Sequence, residues 1–182
     1  CLCLGVGVCG PEIIDERNIL QASLLAMCRA VEGLTARPDL VLVDGNQTPA
    51  MEHEARCIIK GDSLSASIAA ASIIAKVTRD RMMQEMHAKF PHYRFDRNKG
   101  YPTQYHCTAL EVFGVSEIHR RSFGPVALAP SSPKPSRFFR EAYDQLSAVL
   151  HHEALTPLEA MLESSGRKVS KAERYILGKL CE

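Results

Sequence analysis

The sequence predicts an α/β fold, and three observations carry that reading. Two compact runs rich in branched apolar residues, 39–44 (DLVLVD) and 55–60 (ARCIIK), each close on a turn signal, Gly45-Asn46 and Gly61-Asp62. Before them, Ile19, Leu20, Leu24, Met27, Ala30 and Val31 recur at helical spacing. After them, 68–90 carries small residues early (Ala69, Ala70, Ala71, Ser72, Ala75) and charges late, the pattern of a helix whose first turns pack on a sheet. Strands alternating with helices imply layered α/β packing.

The elements follow in order. Residues 1–8 alternate apolar and small side chains and predict a strand, ended by Gly10-Pro11. A helix is expected over about 13–34, with Gly33 and Pro38 bracketing its exit. The two β-branched runs come next, then the 68–90 helix. Residues 91–102 read as a loop rich in aromatic and basic side chains. Thr103 is placed to cap a helix running to about Phe113, stopped by Gly114. A basic turn, His119-Arg120-Arg121-Ser122-Phe123, follows. Residues 129–137 (APSSPKPSR) form a Pro/Ser linker. Beyond it, Phe138, Phe139, Tyr143, Leu146, Val149 and Leu150 outline an amphipathic helix, with further helices expected at 156–163 and 169–181. The chain thus divides into a domain at 1–128, a linker at 129–137 and a helical extension at 138–182.

Composition bounds the function. With 182 residues, 46% apolar and 24% charged, the chain has the balance of an ordinary globular protein with one core and an appendage. No apolar run approaches the ~18 residues of a membrane span. The opening CLCLGVGVCG lacks a basic start and a small-residue cleavage site, so a secretory signal is not expected. Seven cysteines make no C-x-x-C pair and no zinc-like cluster, which suits small buried hydrophobes in a reducing cytoplasm. Net charge is +1, but unevenly spread: residues 1–60 hold eight acids and five bases, whereas 76–121 hold nine bases and five acids. A basic centre supports phosphate contacts, though a run of charge is often only a solvated face.

Two acids occupy comparable places, Asp44 at the end of one β run and Asp62 just after the other. Side chains at the carboxyl ends of strands in an open α/β sheet face a common crevice. Carboxylates gathered there are hard oxygen ligands for Mg²⁺ or Mn²⁺, and two such ions can promote phosphodiester hydrolysis. The competing reading is turn chemistry, since Asp-Gly is a common turn pair and Asp62 can cap a helix. Lys60, Lys76, Arg79, Lys99, Arg120 and Arg121 are candidates for phosphate, or ordinary surface charge. Tyr101, between Gly100 and Pro102, is an aromatic ring in a loop, where it can stack on a sugar or base. His106 and His119 read as structural histidines, and no Ser or Cys nucleophile pairs with them.

Taken together, DERNIL (15–20), LVLVDGN (40–46), KGDS (60–63), IAAASIIAKVTRD (68–80), KGYPT (99–103) and HRRSFGPV (119–126) resemble ribonuclease HII, in that family's order and spacing, over residues 1–128. The resemblance implies a ribonuclease H-like fold and an endonuclease dependent on Mn²⁺ or Mg²⁺. Its substrates would be RNA/DNA hybrids and duplex DNA containing single ribonucleotides, cut to leave 5′-phosphomonoesters, as in RNA primer removal and ribonucleotide excision repair. Asp44 matches the family's third metal-site carboxylate and Asp62 its fourth. Tyr101 matches the tyrosine near the ribonucleotide–deoxyribonucleotide junction, and Lys99, Arg120 and Arg121 would contact phosphates. A cytoplasmic, membrane-free monomer is expected. The sequence departs from the family at its opening: no Asp-Glu pair with a Gly-Arg-Gly loop is found, so an incomplete fold and an inactive isolated chain are expected. Two rival readings are a non-catalytic nucleic-acid-binding remnant and an interaction protein acting through the helical tail.

Overall fold

The computed structural model describes residues 2–148 and 169–180. The helix expected at 156–163 lies outside them. The described elements are α1 (Pro11–Glu32), β1 (Val41–Asp44), β2 (Ala55–Ile58), α2 (Gly61–Leu64), α3 (Ala66–Lys89), a 3-10 turn (Pro91–Tyr93), α4 (Phe95–Asn98), α5 (Gln104–Phe113), α6 (Gly124–Ala127), α7 (Arg137–Ala148) and α8 (Lys171–Leu180). Helices together with a small parallel sheet of two strands make this an α/β chain. No described helix is long and apolar enough to cross a membrane.

The chain forms two compact units. The first comprises 1–83 and 118–123, the second 84–117 and 124–182. In the first, β1 and β2 pair in parallel with Val41 opposite Ala55 and Asp44 opposite Ile58. Val43 points its side chain into the buried face and is 5% exposed. The ladder runs one step past the strands, where Gly45 N–H donates to the Ile58 carbonyl at 3.1 Å. Gly45 then turns the chain at φ 117°, a conformation that glycine adopts without steric cost.

Helix α1 breaks at Asn18, whose φ of 70° is not helical. The Asn18 side chain accepts from the N–H groups of Leu20 and Gln21 at 3.0 and 3.1 Å, so it caps the helix that continues to Glu32. This resolves half of the DERNIL string: its asparagine starts a helix.

Two expectations are corrected here. Residues 2–8 keep a period-two alternation of exposure, with Leu2, Leu4, Val6 and Val8 outward, but pair with no strand among the described residues. The alternation comes from packing on α1 instead. A Cβ on Gly7 would lie 1.8 Å from the Ala26 carbonyl and one on Gly5 2.0 Å from the Ala30 carbonyl, so only glycines allow this approach. The second correction concerns the small-residue start of α3. Ile68 is its one buried position within the helix, while Ile73 and Val77 are 64% and 44% exposed. Two four-residue strands offer too little surface to cover the rest.

The second unit holds the larger core, with Tyr93, Phe95, Phe139, Ile176 and Leu177 almost fully buried. Burying each such side chain contributes about 1.5–3 kcal/mol. Helices α5, α7 and α8 form it with the 3-10 turn and α4, so the residues 137–148 and 171–180 of the tail pack rather than trail. Two polar devices fix α8. At its start Ser170 and Glu173 form a capping box: Glu173 N–H donates to Ser170 Oγ at 3.1 Å, and Ser170 N–H donates to Glu173 Oε2 at 2.8 Å. Glu173 Oε1 also accepts from Ser136 N–H, at 2.6 Å, at the start of α7. At the far end of α8, Arg94 Nη1 donates to the Lys179 carbonyl at 2.8 Å, where a cation complements the helix dipole.

Candidate metal and nucleic-acid site

Asp44 is exposed at the last position of β1, and its carboxylate turns toward the start of α2. Asp44 Oδ1 accepts from Gly61 N–H at 2.8 Å. That donor belongs to the residue before Asp62, which sits in the first turn of α2. The two sequence-selected aspartates are therefore brought to one strand-to-helix corner of the first unit. The KGDS string explains how. Lys60 takes a left-handed conformation, φ 56° and ψ 41°, to turn the chain out of β2. Gly61 is buried, and a Cβ there would lie 2.6 Å from Ile68 Cδ1 and 3.5 Å from Asp44 Oδ1. A glycine at 61 keeps room for Ile68, while the distance to Asp44 is an ordinary contact.

The donor chemistry at this corner fits a hard divalent cation, because carboxylate oxygens are the ligands Mg²⁺ and Mn²⁺ prefer. Asp62 Oδ1 also lies 3.4 Å from Ser63 Oγ, a long contact within the same turn. No group of three or more His, Cys, Asp or Glu side chains gathers among the described residues. Asp44 and Asp62 would hold an ion together with ligands from water or substrate.

Arg120 and Arg121 also belong to the first unit. Their turn closes through Phe123 N–H donating to the Arg120 carbonyl at 3.1 Å. The Arg120 guanidinium lies 4.8 Å from the Phe123 ring centre, a cation–π contact, and Arg121 is exposed. Lys76 pairs with Asp80 one helical turn on.

Tyr101 and Lys99 belong to the second unit. Lys99 and Gly100 both take positive φ, 49° and 81°. Asn98, 8% exposed, scaffolds this loop: its amide nitrogen donates to the Tyr93 carbonyl at 2.6 Å and its Oδ1 accepts from Gly100 N–H at 2.8 Å. Tyr101 N–H donates to the Asn98 carbonyl at 2.8 Å, and the Tyr101 carbonyl accepts from Thr103 N–H at 2.8 Å. The backbone is thus clamped on both sides, while the residue is 57% exposed. A rigidly mounted, solvent-facing ring suits stacking. Lys99 Nζ donates to the Asp96 carbonyl at 2.6 Å, so it also braces the loop.

Thr103 caps α5 as the sequence indicated, accepting from His106 N–H at 3.3 Å. His106 is 5% exposed; burial lowers its pKa, partly opposed by the Tyr101 carbonyl beside Nδ1. Its ring also packs edge-on against Phe95 at 5.3 Å, the surroundings expected of a structural histidine.

Sequence reasoning passed over Asn98, Glu173 and Asp15. For Glu173 a signal existed in the S-x-x-E capping pattern at 170–173. For Asn98 a local signal also existed, the Asn98-Lys99-Gly100 turn pattern, since both partners lie within five residues; for Asp15 the partners, residues 121 and 122, are set by the fold.

Comparison with known proteins bears on the whole arrangement. A sequence model of the family described as ribonuclease HII matches residues 11–126. Among curated relatives, ribonuclease HII of Vibrio vulnificus strain YJ016 is 53% identical over 128 residues, covering 70% of this chain and 62% of the relative. Ribonuclease HII of Delftia acidovorans is 55% identical over 126 residues, covering 69% of this chain and 54% of the relative. Ribonuclease HII of Vibrio cholerae strain O395 is 52% identical over 128 residues, covering 70% and 62%. The chain thus spans just over half to about three-fifths of the length of these relatives.

Proposed function

The chain belongs to the ribonuclease HII family, with its ribonuclease H-like fold, and from that premise we propose that it forms the metal-binding part of an endonuclease. Its substrates are RNA/DNA hybrids and duplex DNA containing single ribonucleotides. The observation that carries this reading is the Asp44 carboxylate held at 2.8 Å by the amide that precedes Asp62. That hydrogen bond fixes the Asp44 rotamer and commits one oxygen, so the carboxylate is oriented before any cation arrives. Asp62 supplies the second charge from the first turn of α2.

A bound Mg²⁺ or Mn²⁺ supplies a more acidic water and neutralises charge on the leaving oxygen. The rest falls to the chain itself. Arg121 and Arg120 contact phosphates and orient the strand, a contribution that weakens with salt. Tyr101 stacks at the junction, where the 2′-OH distinguishes ribose from deoxyribose. Lys99 holds the Tyr101 loop and adds positive charge. Two carboxylates do not offset two divalent ions, so the 182-residue chain on its own binds hybrid without cutting it. It works in the cytoplasm as a monomer.

A graft tests this. Residues 11–126 replace the matching segment of the Vibrio vulnificus relative, and cleavage of a duplex with one ribonucleotide is measured in Mn²⁺. The chimera is expected to cut, and Asp44→Asn to reduce turnover at least a hundredfold with hybrid affinity largely kept, the scale of losing a transition-state charge stabiliser. Undiminished turnover would remove Asp44 from the site. Robust metal-dependent cleavage by the isolated chain would overturn its inactivity.

A further inference from the structure

Asp15 is engaged across the fold, far from its own helix turn. Its Oδ2 accepts from Arg121 N–H at 2.7 Å, and its Oδ1 from Ser122 N–H at 2.8 Å and Ser122 Oγ–H at 2.5 Å. Two consecutive backbone donors and a hydroxyl thus converge on one carboxylate. Such a geometry fixes the backbone of a turn in position and in rotation, since a carboxylate with both oxygens used cannot pivot. The turn it grips carries Arg120 and Arg121. Arg120 is further held by the Phe123 ring at 4.8 Å. Asp15 stays charged in this setting: the Ser122 hydroxyl and N–H lower its pKa, Arg121 N–H and the Arg120 charge add to that, and burial opposes them.

We propose that Asp15 is a positioning residue that presents the Arg120–Arg121 turn to the phosphate backbone of the nucleic acid. This rests on the phosphate-contact reading of those arginines and adds to it the residue that aims them. A purely structural hydrogen bond would be replaceable without altering how many phosphates are neutralised; a positioning one would not. A second consequence separates positioning from blocking. If the carboxylate merely occupied an anion site that phosphate should fill, removing it would tighten binding.

The test uses the 182-residue chain, a fluorescent RNA/DNA hybrid and anisotropy titrations from 50 to 200 mM salt. Each phosphate contact contributes a salt slope of about 0.9, so losing both arginine contacts, in R120Q/R121Q, lowers the slope by about 1.8 and shrinks wild-type's advantage about twelvefold across that salt range. Asp15→Ala is expected to lower the slope by about half of that or more. In the R120Q/R121Q background it should lower it no further. Asp15→Asn, which keeps the shape and one acceptor, should fall between, and serves if the alanine variant does not fold. If R120Q/R121Q leaves the slope unchanged, the phosphate reading fails. If R120Q/R121Q lowers it but Asp15→Ala and Asp15→Asn do not, or if either binds more tightly, the arginines stand and the positioning inference falls. An equal further drop from Asp15→Ala in the arginine-less background would also overturn it, because the effect would then be general loss of structure.

Discussion

Gly61→Ala probes the corner that joins the two aspartates. The added Cβ would meet Ile68 Cδ1 at 2.6 Å, about an ångström inside ordinary carbon–carbon contact. Ile68 is 5% exposed, so the methyl has little room to retreat. Overpacking of this kind costs about 1–3 kcal/mol. The better helix propensity of alanine returns up to about 1 kcal/mol, leaving a net loss of roughly 0–3 kcal/mol from those two effects. Ile68→Val removes the clashing methyl and by itself costs about 0.5–1.5 kcal/mol through the cavity it leaves. Combined, the two changes should compensate, because the new Cβ fills the space that Cδ1 vacated. The double variant is therefore expected to be at least as stable as Ile68→Val alone, with a coupling of about 1 kcal/mol or more. Urea denaturation of the four proteins at pH 7 measures this. Equal destabilisation by Gly61→Ala in the Ile68 and I68V backgrounds would show that the contact with Ile68 does not govern Gly61.

Two other outcomes follow from the second unit. Glu173 caps α7 and α8 at once, through Ser136 and Ser170, so Glu173→Ala should cost about 1–3 kcal/mol on the usual scale of helix caps. Burial pushes the Glu173 carboxyl up, but the Ser136 and Ser170 hydrogen bonds outweigh it and leave it below its ordinary value of 4.5. A depressed carboxylate contributes stability above its unfolded pKa and loses it as pH falls through the folded one. The urea midpoint should thus drop below pH 4.5 in the wild type, and less steeply in Glu173→Gln; equal acid sensitivity in both would contradict the charged cap. Tyr101→Ala, at an exposed position, should leave stability within about 0.5 kcal/mol. It should weaken binding at a ribonucleotide–deoxyribonucleotide junction by about 1–3 kcal/mol of lost stacking, read by anisotropy; unchanged junction affinity would remove Tyr101 from the interface.

Legibility in the sequence followed the range of the forces involved. Thr103 and Gly114 were readable as the ends of α5, because caps act on amides within a few residues. The strands ending at Asp44 and near Lys60 were readable for the same reason, from branched apolar side chains closed by glycine turns. Residues 1–8 misled because period two arises from any chain lying flat on a surface, and here the surface is α1, with Gly5 and Gly7 permitting contact. Asp15 gave no signal of its own because its partners lie over a hundred residues away. The two metal-site candidates were legible as positions. The Asp44 bond to the amide that precedes Asp62 was not, because it depends on β1 and β2 lying in register.

The account depends on Asp44 and Asp62 sharing one cation. Titrating Mn²⁺ into the isotopically labelled 182-residue chain and following backbone amide signals tests that directly, since a paramagnetic ion broadens its nearest neighbours. Selective loss of the Gly45, Gly61, Asp62 and Ser63 amide signals is expected, abolished by either Asp44→Asn or Asp62→Asn. Uniform broadening, or selective broadening that survives both substitutions, would contradict it.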